Sequence, residues 1–428
     1  LKLAVIGAGV VGVTTAYELA LDGHEVTVFE RRHTVAEEAS FANGALIHPG
    51  WVPSLAGGRR GWRSLTPWTA VRTGLKLERL PRAGEWPWLW QWLRAGHPGP
   101  QASSQEHMHR LANYSHQRLQ ALSTAMQLDY DRSQGLLVLW RNPQEFEQMQ
   151  GALQRMRALG LEMRELSGQD TRLLEPALNP DTPLHAAIEL FGDAVANCRQ
   201  FTLLIKAQAQ SLNCRFAFGT RVERIDADGG VTLTYVLGDG SDPTEPPSSE
   251  RFEATILCAG AASAELLRPL GLRVPLQPVY GHSISAAVRE PMDAPLSGVL
   301  DARHGVSITR LGQRVRVAGG ARLGGQPGLK SAAELRRLYQ VLADWFPGAA
   351  RIGGQQDSVL EWQGAHAMLP DGPPVLGASR LPGLWLNLGH GDSGWTTACG
   401  SARALADAIR GSSPDIDLSA YSPQRFDL

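Results

Sequence analysis

The stretch Lys2-Leu-Ala-Val-Ile-Gly7-Ala-Gly9-Val-Val-Gly12-Val-Thr-Thr-Ala-Tyr-Glu-Leu-Ala-Leu21, followed after Asp22-Gly23 by Glu25-Val-Thr-Val-Phe-Glu30, decides the fold class. Lys2 to Ile6 and Glu25 to Glu30 read as short β-rich runs, and Val13 to Leu21 reads as a helix between them, so the chain opens with a βαβ unit. Gly7 permits a tight turn out of the strand, Gly9 lets the backbone approach a pyrophosphate, and Gly12 lets helix and sheet pack closely. N–H groups at the helix start favour phosphate charge. Glu30 stands where a carboxylate accepts hydrogen bonds from an adenosine ribose. Together these residues point to a dinucleotide without separating NAD from FAD.

Outward from this unit, 428 residues exceed one simple core and fit a two-domain molecule. The 41 basic residues balance 42 acidic ones, which leaves no net field for a nucleic-acid backbone. A small molecule is the expected partner. Cys198, Cys214, Cys258 and Cys399 form no C-x-x-C pair, which argues against zinc, iron–sulfur and disulfide frameworks and for a reducing compartment. The apolar start from Leu1 to Ala20 lacks a cationic region and a cleavage site, and no stretch approaches the roughly 20 apolar residues of a membrane span. A cytoplasmic location is expected, with no metal.

Helices are expected at Gln105 to Met126, Pro143 to Leu159, Arg199 to Leu212, Ala332 to Phe346 and Ser401 to Ile409. Strands are expected at Gly135 to Trp140, Arg215 to Phe218, Val231 to Leu237, Ala254 to Cys258, Gly281 to Val288, Val306 to Thr309, Arg314 to Ala318 and Ser358 to Trp362. Trp51 to Gly99 reads as an irregular excursion, and Gly238 to Glu250 as an exposed polar loop.

Three features favour FAD over NAD: the fingerprint at the very start, the small-residue turn at Ala259-Gly260-Ala261, and the terminal loop Gly389-His390-Gly391-Asp-Ser-Gly394-Trp395-Thr396 opening a helix. Such a loop can lie against a flavin ring, where the positive helix end stabilises negative charge. A plain αβ turn is the alternative for that loop.

Four segments in order carry a resemblance: Val5 to Ala20, Ser40-Phe-Ala-Asn43-Gly44, Met368-Leu-Pro-Asp371-Gly372-Pro-Pro-Val-Leu-Gly377, and Asn387-Leu-Gly-His-Gly-Asp-Ser-Gly-Trp-Thr-Thr-Ala-Cys-Gly400. They look like the D-amino acid dehydrogenase small-subunit family, within the D-amino acid oxidase, glycine oxidase and sarcosine oxidase group. The resemblance implies an α/β fold: a Rossmann-type FAD-binding domain from residues 1–50, 190–270 and 366–428, and a substrate domain with a mainly antiparallel sheet from 51–189 and 271–365. It implies non-covalent FAD held by Gly7, Gly9, Gly12, Glu30, Arg31, Ser40, Asn43, Gly44, Val222, Ala259, Gly260, Gly389, Gly391, Gly394, Trp395 and Thr396. The implied reaction is hydride transfer from an amino acid to flavin N5, giving an imine that hydrolyses to a 2-oxo acid and ammonia. A quinone or dioxygen takes the electrons. The alternatives are a glycine, sarcosine or N-alkylamino acid oxidase and a flavin-binding protein without turnover.

The chain departs from the family at the implied carboxylate clamp. Gly281-His282-Ser283 stands where the family has Gly-Tyr-Ser, and His366-Ala367-Met368-Leu369-Pro370-Asp371 where it has Arg-Pro-Met-Thr-Pro-Asp. The two histidines either line an altered pocket or are structural. His48 either faces the flavin or serves its loop, and His48, His282, His366 and His390 are the candidate catalytic groups. Arg322, where the family tends to have Glu, is a surface residue or a replacement cation. The run Trp86-Pro-Trp-Leu-Trp-Gln-Trp-Leu, near Arg82 and Arg94, is core packing or a lipid-interface contact on the inner face of the membrane.

Overall fold

The computed structural model describes residues 1–51, 75–238, 246–354 and 359–428. Most of the expected irregular excursion, part of the polar loop, and Ser358 lie outside the described residues. The chain runs β1 (Lys2–Ile6), α1 (Val10–Leu21), β2 (Glu25–Glu30), α2 (Trp86–Ala95), α3 (Pro98–Ala125), α4 (Cys198–Ser211), β3 (Arg215–Phe218), β4 (Ala254–Leu257), β5 (Gln277–Ala287), β6 (Arg314–Leu323), α5 (Ala332–Trp345), β7 (Leu360–Met368), β8 (Val375–Ala378), β9 (Leu384–Leu388) and α6 (Gly394–Arg410), with further elements between, which are given by their residues.

A six-stranded sheet has the order β8-β9-β4-β1-β2-β3 and is parallel except for the β8–β9 pair. Its central strands are apolar without alternation, Leu3–Ile6 and Ala254–Leu257 being buried throughout, as parallel strands covered on both faces must be. A core joining α1, α4 and α6 covers one face. The larger sheet runs β7, β5, β6, then Val306–Leu311, Gly298–Asp301, Arg132–Trp140, Ala186–Ala196 and Leu46–Ile47, with two short strands off this path, and most of its pairs are antiparallel. The fold is α/β, as the sequence reading expected, and α5 packs its apolar face on this second sheet.

Several bounds differ from the expectations. The domain boundaries placed at 190 and 366 fall inside the continuous strands Ala186–Ala196 and β7, and Leu46–Ile47 pairs with the former. Helix α6 begins at Gly394 rather than Ser401 because tertiary contact overrides the weak propensity of its glycines; a Cβ on Gly400 would meet the Ser115 backbone at 2.8 Å. The expected helix from Pro143 to Leu159 is two helices, Pro143–Glu147 and Gln150–Ala158. Within α2, Trp88 and Trp92 are buried whereas Trp86 and Trp90 are exposed, so the tryptophan run serves both core and surface. No helix among the described residues is long and apolar enough to cross a membrane.

Candidate active site

A cavity of about 450 Å³ opens at the carboxyl ends of β1, β2 and β4, where an open α/β sheet accepts its ligand. Of the residues expected to hold the cofactor, Gly7, Gly9, Glu30, Arg31, Ser40, Asn43, Val222, Ala259, Gly260, Gly389, Gly391, Gly394 and Trp395 line it. Gly12, Gly44 and Thr396 do not. Gly12 acts behind the cavity, since a Cβ there would lie 1.9 Å from the Gly7 carbonyl oxygen. Thr396 is buried and its hydroxyl accepts the His48 N–H at 3.3 Å.

The phosphate end is shaped by backbone. Gly7 has φ +103°, and a Cβ would meet the Cys258 carbonyl oxygen at 2.6 Å, so only glycine fits the turn. Gly9 differs: the position of its absent Cβ meets only Ser40 Oγ, at 3.4 Å. Ser40 Oγ accepts the Val10 N–H at 3.1 Å and ties the loop to the start of α1. Glu30 accepts the Ala8 N–H at 2.7 Å and the Arg32 N–H at 2.8 Å, one on each carboxylate oxygen. Each oxygen keeps a second lone pair for a ribose hydroxyl. These features fit a dinucleotide: a glycine cradle, a helix start and a fixed carboxylate.

At the opposite end lie Ala365, His366 and Ala367 of β7 and the loop from Asn387 to Gly394. His366 faces the cavity, and burial lowers its pKa below the ordinary histidine value. A Cβ on Gly281 would approach His366 Nε2 to 2.7 Å, so the bare glycine makes room for the imidazole. His390 also lines this end, but both ring nitrogens are engaged, Nδ1 at 2.8 Å from Thr397 Oγ1 and Nε2 at 2.7 Å from Asn387 Oδ1. Burial pushes its pKa down to about 3, which removes it as a base at neutral pH.

His282 and His48 are not brought to this cavity. His366 pairs with Val279 across the β5–β7 ladder, and His282 stands three residues beyond Val279, an odd step that turns it to the other face of the sheet. There His282 Nε2 accepts the Ser331 N–H at 3.0 Å, at the start of α5. The expected pairing of His282 with His366 in one clamp is thereby corrected: the two side chains do not share this cavity. His48 is buried, and desolvation pushes its pKa down to about 4. Arg322 is neither a free surface residue nor a cavity cation: it pairs with Glu78 and with the buried Glu334, the latter at 2.8 Å.

Sequence reasoning gave no role to Asn387, Glu265 or Asp392, which also line the cavity. Asp392 carried the clearest signal, an acidic residue in a glycine-rich loop, and burial pushes its pKa up to about 6.

Comparison with known proteins agrees with this geometry. The family described as FAD dependent oxidoreductase matches residues 2–408. The D-amino acid dehydrogenase of Rhodopseudomonas palustris is 36% identical over 100% of this chain and 98% of its own, and that of Bradyrhizobium diazoefficiens is 34% identical over 100% and 99%. Among solved structures, glycine oxidase from Geobacillus kaustophilus superposes with a TM-score of 0.75 at 20% identity, covering 99% of this chain and 98% of that one. L-proline dehydrogenase from P. horikoshii gives 0.73 at 16%, covering 100% and 97%. The glycine turn, the Glu30 carboxylate and the second glycine loop thus stand in a chain that belongs to the family of FAD-dependent oxidoreductases.

Proposed function

We propose that the protein oxidises the C–N bond of an amino acid, as a D-amino acid dehydrogenase does, with the cofactor in this cavity and the substrate at its His366 end. The observation that carries the reading is the convergence of the phosphate cradle, Glu30 and the Gly389–Gly394 loop on one cavity that ends at His366. FAD bound there supplies a two-electron acceptor for hydride from the substrate carbon. The N–H groups at the start of α6 favour negative charge at that end of the site. Neutral His366 has a single N–H, which the Gly391 carbonyl also draws on, whereas a guanidinium would offer a substrate carboxylate two in parallel. The imine product leaves for water, where it hydrolyses to a 2-oxo acid and ammonia. Electrons pass on to a quinone, and the exposed Trp86 and Trp90, with Arg94 stacked on Trp90 at 5.0 Å, form the surface for peripheral membrane contact. Dioxygen as acceptor would make the protein an oxidase instead.

The test is anaerobic mixing of the purified holoprotein with D-amino acids, L-amino acids and N-alkyl amino acids, followed by flavin absorbance. D-amino acids are expected to bleach the flavin, and peroxide formation in air separates oxidase from dehydrogenase. A flavin that none of them bleaches overturns the reading. His366→Arg is expected to lower KM for simple D-amino acids about tenfold through bidentate pairing. Burial holds the His366 pKa below about 6.5. Its imidazolium therefore gains population only as pH falls below that value, and any rise of kcat/KM with pH above it belongs to the substrate amine. That rise is expected to survive in His366→Asn.

A further inference from the structure

Hydrogen-bond directions around His390 can be fixed from the outside in. Thr15, on α1, has one hydroxyl proton, given to the Val11 carbonyl at 2.7 Å. Its oxygen is left to accept, and Asn387 Nδ2 donates to it at 3.0 Å. That orients the Asn387 amide with Oδ1 toward His390 Nε2 at 2.7 Å. An amide oxygen only accepts, so Nε2 carries the proton. His390 is buried, and a neutral ring then leaves Nδ1 bare, to accept the Thr397 hydroxyl at 2.8 Å. The Thr397 hydroxyl also stands 2.8 Å from the Ser393 carbonyl, so its single proton is shared between the two acceptors.

We propose that His390 is a positioning residue: through Asn387 and Thr15 it locks the loop at the flavin end of the cavity to the helix that begins at the phosphate end. Asn387 and His390 line the cavity, whereas Thr15 and Thr397 stand behind it. Thr15 is fully buried and anchors the relay on α1, one turn beyond the phosphate cradle. A cofactor gripped at both ends requires those ends at a fixed spacing, and the relay sets it. This rests on the assignment of FAD to the cavity.

The experiment compares wild type, Thr15→Val and Thr15→Ser holoproteins by FAD dissociation constant and by the shape of the bound flavin's visible bands. Thr15→Val is expected to weaken FAD binding about tenfold, the scale of one buried hydrogen bond, and to alter the flavin bands although Thr15 does not line the cavity. Thr15→Ser keeps the hydroxyl and is expected to restore both. In a double-mutant cycle, Thr15→Val and His390→Gln are expected to be strongly non-additive. Unchanged affinity and bands in Thr15→Val, or strict additivity in the cycle, overturns the relay. Nitrogen NMR of the wild type, with His390 assigned by its loss in His390→Gln, needs no folded variant at Thr15: the ring is expected to keep its proton on Nε2 from about pH 5 to about pH 9, and a titrating His390 overturns the proposal. A wild-type protein that retains no FAD would instead sink the cofactor assignment.

Discussion

Gly9 and Gly12 belong to one glycine run, yet enlarging them has different consequences. A Cβ on Gly12 would collide with the Gly7 carbonyl at 1.9 Å, so Gly12→Ala must part helix from turn and is expected to destabilise the protein by about 2 kcal/mol or more. A Cβ on Gly9 would have no neighbour closer than 3.4 Å, so Gly9→Leu is expected to melt at the Tm of the FAD-stripped wild type and to purify colourless. Thermal melts and flavin absorbance check both, and yellow Gly9→Leu would remove it from the cradle. Glu30→Gln is expected to weaken FAD binding by about 1.5 to 3 kcal/mol without moving the flavin bands, because a charge-assisted acceptor is lost at the ribose end. Isothermal titration and absorbance measure the two separately. The places of Gly7, Gly9 and Glu30 at the cavity were legible because they are local, set by a turn and by position on a strand. His282 was not, because the face it occupies depends on strand register, which a single sequence leaves open.

Three helices meet at a buried carboxylate. Glu18 of α1 is fully buried and accepts two hydrogen bonds from Arg118 of α3, both 2.7 Å, and one from Arg403 of α6 at 2.8 Å. Arg403 also pairs with Asp407 at 2.8 Å. Removing the carboxylate takes both of these hydrogen bonds from Arg118, while Arg403 keeps Asp22 and Asp407, so Glu18→Ala is expected to cost about 3 kcal/mol, read as a lower urea midpoint. A loss under about 1 kcal/mol would mean that the cluster is solvated in practice. The sequence pass predicted all three helices but none of their ion pairs, since Glu18, Arg118 and Arg403 are far apart along the chain. The strand Ala186–Ala196 was not among the expected elements, because Glu189, Gly192 and Asp193 break the apolar pattern on which strand prediction relies. The chain stays extended there because two neighbouring strands, Arg132–Trp140 and Met163–Ser167, pair with it.

The cavity draws on segments around Gly7, Ser40, Val222, Ala259, His366 and Gly389, so a cofactor held there would meet the ends of β1, β2 and β9 together with residues of the second sheet. Ligand binding to the folded state alone adds stability by mass action, about 4 kcal/mol when FAD exceeds its dissociation constant a thousandfold. Stripping the FAD is expected to lower the Tm and re-adding it to restore it in a concentration-dependent way, monitored by calorimetry; a Tm indifferent to FAD would contradict this linkage. The order of motifs made the two-layer arrangement readable in the sequence, while the joins between layers were not, because strands such as β7 carry both a sheet edge and a site residue. The same scattering has a consequence for synthesis. A ribosome delivers the first glycine loop, Gly7–Gly12, well before the second, Gly389–Gly394. The emerging chain therefore cannot be loaded co-translationally at its fingerprint alone, and the parallel strands must wait, partly assembled and shielded from wrong pairing, until β9 arrives to complete both the sheet and the place for the flavin.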